Sequence, residues 1–193
     1  MRLILALIMC LLPSFVLAAE AKAVFAGGCF WSMQKAFDGM PGITDVVAGF
    51  SGGASPEPTY EQVVTGKTGY LESVQVTYDP AKITYDRLLN IYWHHIDPVD
   101  PNGQFCDKGP QYRTAIFYGS PEEKQKAADS KMLMEADDTR LDGKPVTTQI
   151  RPKMPFYAAE DYHQRYYRKN PLRYNFYRGR CGQDQRLQQI WGH

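Results

Sequence analysis

Ala23-Val24-Phe25-Ala26-Gly27-Gly28-Cys29-Phe30-Trp31 is the stretch from which the architecture is read. The apolar run Ala23 to Ala26 predicts a buried strand. Gly27 and Gly28 let the backbone turn sharply. Phe30, Met33 and Phe37 then recur on one helical stripe. Cys29 therefore sits at a helix N-terminus, where unpaired backbone N–H groups and the helix dipole favour an anion. Such a position lowers a thiol pKa and makes a reactive thiolate. Phe30 and Trp31 set an apolar wall beside it. A small buried residue at a strand–helix junction is the alternative, and position alone does not choose between the two.

The chain of 193 residues is long enough for one domain with its own core. Met1-Arg2 precedes an apolar run, Leu3 to Leu17, too short to span a bilayer comfortably. It ends in Val16-Leu17-Ala18-Ala19, which suits a signal peptidase cutting after Ala18. Residues 1–18 are expected to be a secretory signal peptide and 19–193 a single domain, with an uncleaved anchor as the alternative. The protein is then exported: periplasmic in a Gram-negative bacterium, secreted otherwise. The full chain carries 22 basic and 21 acidic residues, and loss of Arg2 balances them. Nothing in that balance suggests a nucleic-acid or membrane-surface partner. Cys29, Cys106 and Cys181 remain after cleavage. An odd count in an exported protein leaves one thiol free or transiently paired.

Further along, Ile43 to Phe50 predicts a strand, Tyr60 to Val64 a short helix, and residues 70–78 the clearest strand. There Val74, Val76 and Tyr78 alternate with Ser73, Gln75 and Thr77. Glu72 falls on the apolar face with Val74, Val76 and Tyr78. A carboxyl so placed is poorly solvated, its pKa rises, and it can hold and donate a proton near neutral pH. Reaching solvent or pairing with a cation is the other reading. Tyr85, Leu88, Leu89, Tyr92, Trp93 and Ile96 form a helical core stripe. Asp97 to Gln111 lacks periodicity and is expected to be an active-site loop that brings Asp107 and Tyr112 inward. Arg113 to Tyr118 and Val146 to Ile150 predict strands. Ser120-Pro121-Glu122-Glu123 opens a helix, and Ala159 to Lys169 predicts another. Glycines flank Cys181 in Gly179-Arg180-Cys181-Gly182, so a mobile tail that carries a thiol to another site is expected.

Taken together, Gly27-Gly28-Cys29-Phe30-Trp31, Thr59-Tyr60-Glu61, Glu72, Asp107-Lys108-Gly109-Pro110-Gln111-Tyr112-Arg113 and Ala159-Glu160-Asp161-Tyr162-His163-Gln164 resemble the A-type peptide methionine sulfoxide reductases. The resemblance covers essentially the whole chain after residue 18. It implies an α/β fold, an α+β two-layer sandwich with a ferredoxin-like βαβ core, a long active-site loop and an irregular C-terminal tail. It implies reduction of methionine S-sulfoxide, free or in oxidised proteins. It gives Cys29 the nucleophile's role, Phe30 and Trp31 the methyl pocket, and Tyr60, Glu72 and Tyr112 the sulfoxide oxygen, with Glu72 as proton donor. Asp107 matches an acid of the substrate and water network, and Cys181 the resolving cysteine that forms a Cys29–Cys181 disulfide. The chemistry agrees: thiolate attack with protonation of the oxygen leaves a sulfenic acid, a second thiol makes a disulfide, and a thioredoxin-like dithiol restores the enzyme. Neither metal nor organic cofactor is needed, and a monomer without stable membrane association is expected.

Cys106 departs from the family pattern, in which a polar, non-thiol residue is more usual before Asp107. It is either an idle small residue, an interceptor of the Cys29 sulfenic acid, or a partner for Cys181. Two rival readings remain. One is a non-enzymatic exported domain with a structural Cys29–Cys181 bond. The other is a metal-binding protein using Cys29, Cys106, Cys181 and His163, which lack the Cys-x-x-Cys spacing of such sites.

Overall fold

A computed structural model describes residues 19–136 and 138–192; the signal peptide expected over 1–18 lies outside them. In chain order come β1 (Ala21–Gly27), α1 (Phe30–Phe37), β2 (Ile43–Ser51), α2 (Tyr60–Val63), β3 (Leu71–Tyr78) and α3 (Tyr85–Trp93). A small hairpin, β4 (Gly103–Gln104) and β5 (Asp107–Lys108), precedes β6 (Thr114–Tyr118), α4 (Pro121–Ala136) and α5 (Asp138–Leu141). The chain then forms β7 (Gln149–Pro152), β8 (Phe156–Ala158), α6 (Tyr166–Lys169), α7 (Pro171–Arg180) and α8 (Gln183–Trp191).

The large sheet has the order β7-β6-β1-β3-β2-β8. Its centre, β6-β1-β3-β2, is antiparallel throughout, and with α1 and α3 it makes the ferredoxin-like core expected from the resemblance. β7 extends one edge in parallel and β8 the other antiparallel. Alternation along β1 decides which residues meet the helices. Ala23 and Phe25 join the main core, while Val24 and Ala26 pack with Leu71, Ala115, Phe117 and Phe156 on the opposite face. Phe25 stacks between Phe37 at 5.4 Å and Tyr92 at 5.3 Å. All three are fully buried, each contributing about 1.5–3 kcal/mol of transfer free energy. The Tyr92 hydroxyl donates to the Ala26 carbonyl at 2.9 Å, tying α3 to β1 just before the glycine turn.

Three segments differ from the sequence expectation. Ala159 to Lys169 is helical only from Tyr166. Gln164 instead extends the edge of β2, accepting from the Ala48 amide at 2.9 Å and donating to the Ala48 carbonyl at 2.8 Å, and Arg165 takes a left-handed φ of 50°. The strand expected from Val146 begins at Gln149, because Thr147 bonds to the carbonyls of Pro98 and Asp100. The C-terminal segment expected to be irregular is helical: α7 runs from Pro171 to Arg180 with Cys181 as its C-cap, and the left-handed Gly182 (φ 64°) is the N-cap of α8. Gln183 accepts from Ser32 at 2.9 Å, which pins this helical corner to α1.

Candidate active site

The glycine turn places Cys29 as the N-cap of α1. Gly28 has φ +80°, and a Cβ there would lie 2.5 Å from the Cβ of Gln104, so side chains are excluded twice over. Gln104 is fully buried, accepting from the Asp97 amide at 2.8 Å and donating to the Asp97 carbonyl at 2.7 Å. The loop carrying Asp107 is thereby fastened directly beneath the cysteine turn. The first amides of α1 are all used. Those of Ser32 and Met33 bond to the Cys29 carbonyl, that of Trp31 to the Cys29 sulfur, and that of Phe30 donates to Glu72 Oε2 at 3.0 Å.

Glu72 points from β3 into the apolar side, as its alternation predicts, and is 2% exposed. Burial, opposed by the Phe30 N–H and reinforced by Asp107, pushes its carboxyl from 4.5 up to about 8. It is therefore mostly protonated at neutral pH. Cys29 departs from the sequence expectation of a lowered pKa. Burial first, then the Glu72 and Asp107 carboxylates, push the thiol up, against the Tyr177 hydroxyl and Trp31 amide that pull it down. The helix terminus acts as expected, but desolvation and two acids outweigh it.

Around this pair the structure gathers Phe30, Trp31, Tyr60, Asp107 and Tyr112. Tyr60 and Tyr112 are half-buried; burial and the nearby charges of Glu72 and Cys29 raise both phenols, which therefore remain hydrogen-bond donors. Asp107 lies on β5, raised by burial, and accepts a hydrogen bond from Tyr177. Phe30 is buried between Phe50 at 5.8 Å and Tyr60 at 6.2 Å. Trp31 stacks on Tyr166 with centroids 3.9 Å apart and meets Tyr177 edge-on at 5.9 Å.

Sequence reading assigned no role to Tyr177 or Tyr166, and gave His163 one only in the rival metal-binding reading. Tyr177 hydrogen-bonds both Cys29 and Asp107, and no local pattern in α7 announces it. His163 is buried, and its Nδ1 accepts from the Trp31 indole N–H at 3.1 Å. Its position within Ala159-Glu160-Asp161-Tyr162-His163-Gln164 was the available signal. Burial lowers its pKa, consistent with a neutral ring that accepts at Nδ1. Cys181, expected to pair with Cys29, is bonded to Cys106, with Cα atoms 4.8 Å apart. Cys29 is the free thiol among the described residues. Cys106 is thus not idle, because the β4–β5 turn and the end of α7 meet there. No group of described residues gathers three metal-ligating side chains, so the four residues of the metal-binding reading are not assembled.

A family model described as peptide methionine sulfoxide reductase matches residues 21–193. The chain is 48% identical over 171 residues to the peptide methionine sulfoxide reductase MsrA of Halalkalibacterium halodurans, covering 89% of this chain and 96% of that protein. Among solved structures, methionine sulfoxide reductase A of Corynebacterium diphtheriae aligns with a TM-score of 0.75 at 34% identity, covering 79% of this chain and 76% of that one. Reduced Mxr1 of Saccharomyces cerevisiae aligns with a TM-score of 0.72 at 32% identity, covering 82% and 90%.

Proposed function

The chain belongs to the A-type peptide methionine sulfoxide reductases, oxidoreductases that reduce methionine sulfoxide through a thiol, and we propose that Cys29 is its nucleophile and Glu72 its proton donor. The observation that carries this reading is the Phe30 amide bonded to Glu72 Oε2 at 3.0 Å. It fixes a neutral buried acid to the residue directly after the thiol. The substrate methyl group lies against Phe30 and Trp31, and the sulfoxide oxygen faces Glu72, Tyr60 and Tyr112. The Cys29 thiolate attacks the sulfoxide sulfur while Glu72 gives its proton to the oxygen, a poor leaving group until protonated. Methionine departs and Cys29 is left as a sulfenic acid. Asp107, held by Tyr177, orients the substrate and its water. Cys181 condenses with the sulfenic acid, releasing water, and an external thioredoxin-like dithiol returns the enzyme to its reduced form.

The substrates in this reading are the S-epimer of methionine sulfoxide, free and in oxidised proteins. Leader-like residues 1–18 support work outside the cytoplasm, periplasmic in a Gram-negative cell. The test is turnover of a methionine sulfoxide peptide with dithiothreitol, the two epimers assayed separately, for wild type and Cys29→Ser. Turnover confined to the S-epimer and lost in the variant is expected. Substantial turnover by folded Cys29→Ser would give the reaction to another thiol.

A further inference from the structure

Residues 159–164, strapped along β2 by Gln164, carry two buried polar atoms that the reaction leaves unused. Glu160 Oε2 and His163 Nε2 are both buried without a hydrogen-bond partner. The other polar atom of each side chain is engaged. Glu160 Oε1 accepts from the Tyr60 amide at 3.1 Å, and His163 Nδ1 accepts from the Trp31 indole at 3.1 Å. The His163 amide donates to the Glu160 carbonyl at 2.9 Å, so both side chains leave one turn of the chain. The His163 ring is 2% exposed and sits between Phe30 at 5.0 Å and Tyr60 at 4.2 Å. Its tautomer follows from these contacts. A neutral imidazole that accepts at Nδ1 carries its proton on Nε2. The unpaired atom of His163 is therefore a donor, and that of Glu160 an acceptor. The Glu160 charge also acts on the ring, opposing the burial that lowers its pKa.

We infer that Glu160 is a positioning residue of the substrate pocket: it accepts from His163 Nε2–H, directly or through one water, and so joins the methyl wall at Trp31 to the oxygen donor Tyr60. The inference deepens the reductase reading and rests on it. Left apart, each of the two atoms carries the cost of a buried, unsatisfied polar group. Paired, they complete a chain that runs from the Trp31 indole through His163 and Glu160 to the Tyr60 amide. Both ends of that chain only donate. Residue 160 must therefore accept twice, once from Tyr60 and once from His163. A carboxylate does so. A glutamine has one acceptor oxygen and an NH₂ group that only donates. With its oxygen kept by the Tyr60 amide, that NH₂ would face His163 Nε2. The ring would then carry its proton on Nδ1, against the Trp31 N–H. Trp31 and Tyr60 together set how a sulfoxide lies over Cys29, its methyl group toward one and its oxygen toward the other. The penalty for losing the couple therefore falls first on substrate binding.

Heteronuclear NMR of the imidazole nitrogens reads the tautomer directly. Near neutral pH, wild type should show His163 protonated at Nε2 alone, and Glu160→Gln should show it protonated at Nδ1. Glu160→Gln should raise KM for a methionine sulfoxide peptide about tenfold while kcat stays within about threefold. In a His163→Ala background the same substitution should change KM by less than about twofold, because its effect passes through the ring. Glu61→Gln removes the other acid whose charge reaches His163 and should leave both tautomer and KM unchanged. A wild-type ring protonated at Nδ1 would overturn the couple, and this measurement decides alone if Glu160→Gln does not fold. Retention of Nε2–H in folded Glu160→Gln would overturn it too, as would additive losses in the double variant. Wild type that turns over no sulfoxide would remove the reductase reading, and the two failures are told apart because the tautomer is read without substrate.

Discussion

Replacing Glu72 by glutamine separates two roles that the geometry assigns to one carboxyl. Glu72 is 2% exposed, and its pKa stands at about 8 instead of 4.5. At about 1.4 kcal/mol per pH unit, the ionised form is disfavoured by about 5 kcal/mol relative to a solvated carboxyl. The folded state holds this proton more tightly than the unfolded state. The associated stability is therefore fully present below pH 4.5 and is lost as pH rises through about 8, with about 3 kcal/mol gone by pH 7. Glutamine keeps an acceptor for the Phe30 amide but has no proton to give. Glu72→Gln should lower kcat/KM by roughly 10²–10⁴-fold, the range for a lost general acid, or about 3–5 kcal/mol of transition-state stabilisation. Wild-type kcat/KM should fall above pH about 8 as the acid ionises, and the variant should lack that limb. Alkylation of Cys29 by iodoacetamide should run the other way. An ionised Glu72 is the second cause raising the thiol, so the variant should alkylate faster than wild type above pH 8. Stopped-flow turnover, an alkylation time course and urea midpoints across pH 5–9 provide the checks. A variant within about threefold of wild-type turnover, or one keeping the descending limb near pH 8, would refute the argument.

Tyr177→Phe should slow Cys29 alkylation about tenfold, since the hydroxyl is one of the two hydrogen bonds that lower the thiol pKa and a bond to a charged group contributes about 1.5–3 kcal/mol. A rate equal to wild type would show that the hydroxyl does not act on the sulfur. Gly28→Ala puts a Cβ 2.5 Å from Gln104 at φ +80° and should cost about 1–3 kcal/mol in denaturant unfolding, with turnover reduced as the Cys29 turn shifts. His163→Ala should raise KM more than it lowers kcat, because it frees the Trp31 indole from its acceptor and loosens the methyl pocket. His163→Gln, which can still accept from the indole, should recover part of the loss, and equal KM values for both variants would remove this role.

The parts of the site that were legible in the sequence are those set by local rules. Gly27-Gly28 after an apolar run placed Cys29 at a helix start, and period-two alternation turned Glu72 inward; both stand in the structure. The ferredoxin-like core came from the family resemblance, and the order β6-β1-β3-β2 from the structure, since no local pattern says that β1 lies between β3 and β6. Tyr177 escaped, and the choice among the three readings of Cys106 stayed open, because their partners lie 70 and 75 residues away in the chain, and only the return of α7 over the β4–β5 hairpin brings them together. The sign of the Cys29 shift was missed for the same reason. A dipole can be read from the cysteine's own helix, but the opposing acids come from β3 and β5. The short helix α6 shows tertiary contacts overriding local preference, with the Gln164 amide held by Ala48 in a position no helix would allow.

The same acids explain how the site distinguishes substrate from product. Burial raises Cys29, Glu72 and Asp107 alike, Asp107 raises Glu72 further, and both carboxylates raise Cys29. A thiolate at Cys29 is thus easiest to form when Glu72 keeps its proton, although burial still holds the resting thiol in its protonated form. The phenols of Tyr60 and Tyr112 are raised as well and stay protonated, adding donors without adding charge. A sulfoxide oxygen entering this site meets only donors. The thioether of product methionine has no oxygen to accept from those donors, the oxygen having passed to Cys29 as its sulfenic acid. A site built to hydrogen-bond one atom holds poorly the molecule that lacks it. Product release therefore follows from the reaction itself, and competition by methionine against its sulfoxide should be weak, with an inhibition constant well above the substrate KM. Methionine binding as tightly as the sulfoxide would show that the apolar wall of Phe30 and Trp31, rather than the donors around Glu72, dominates recognition.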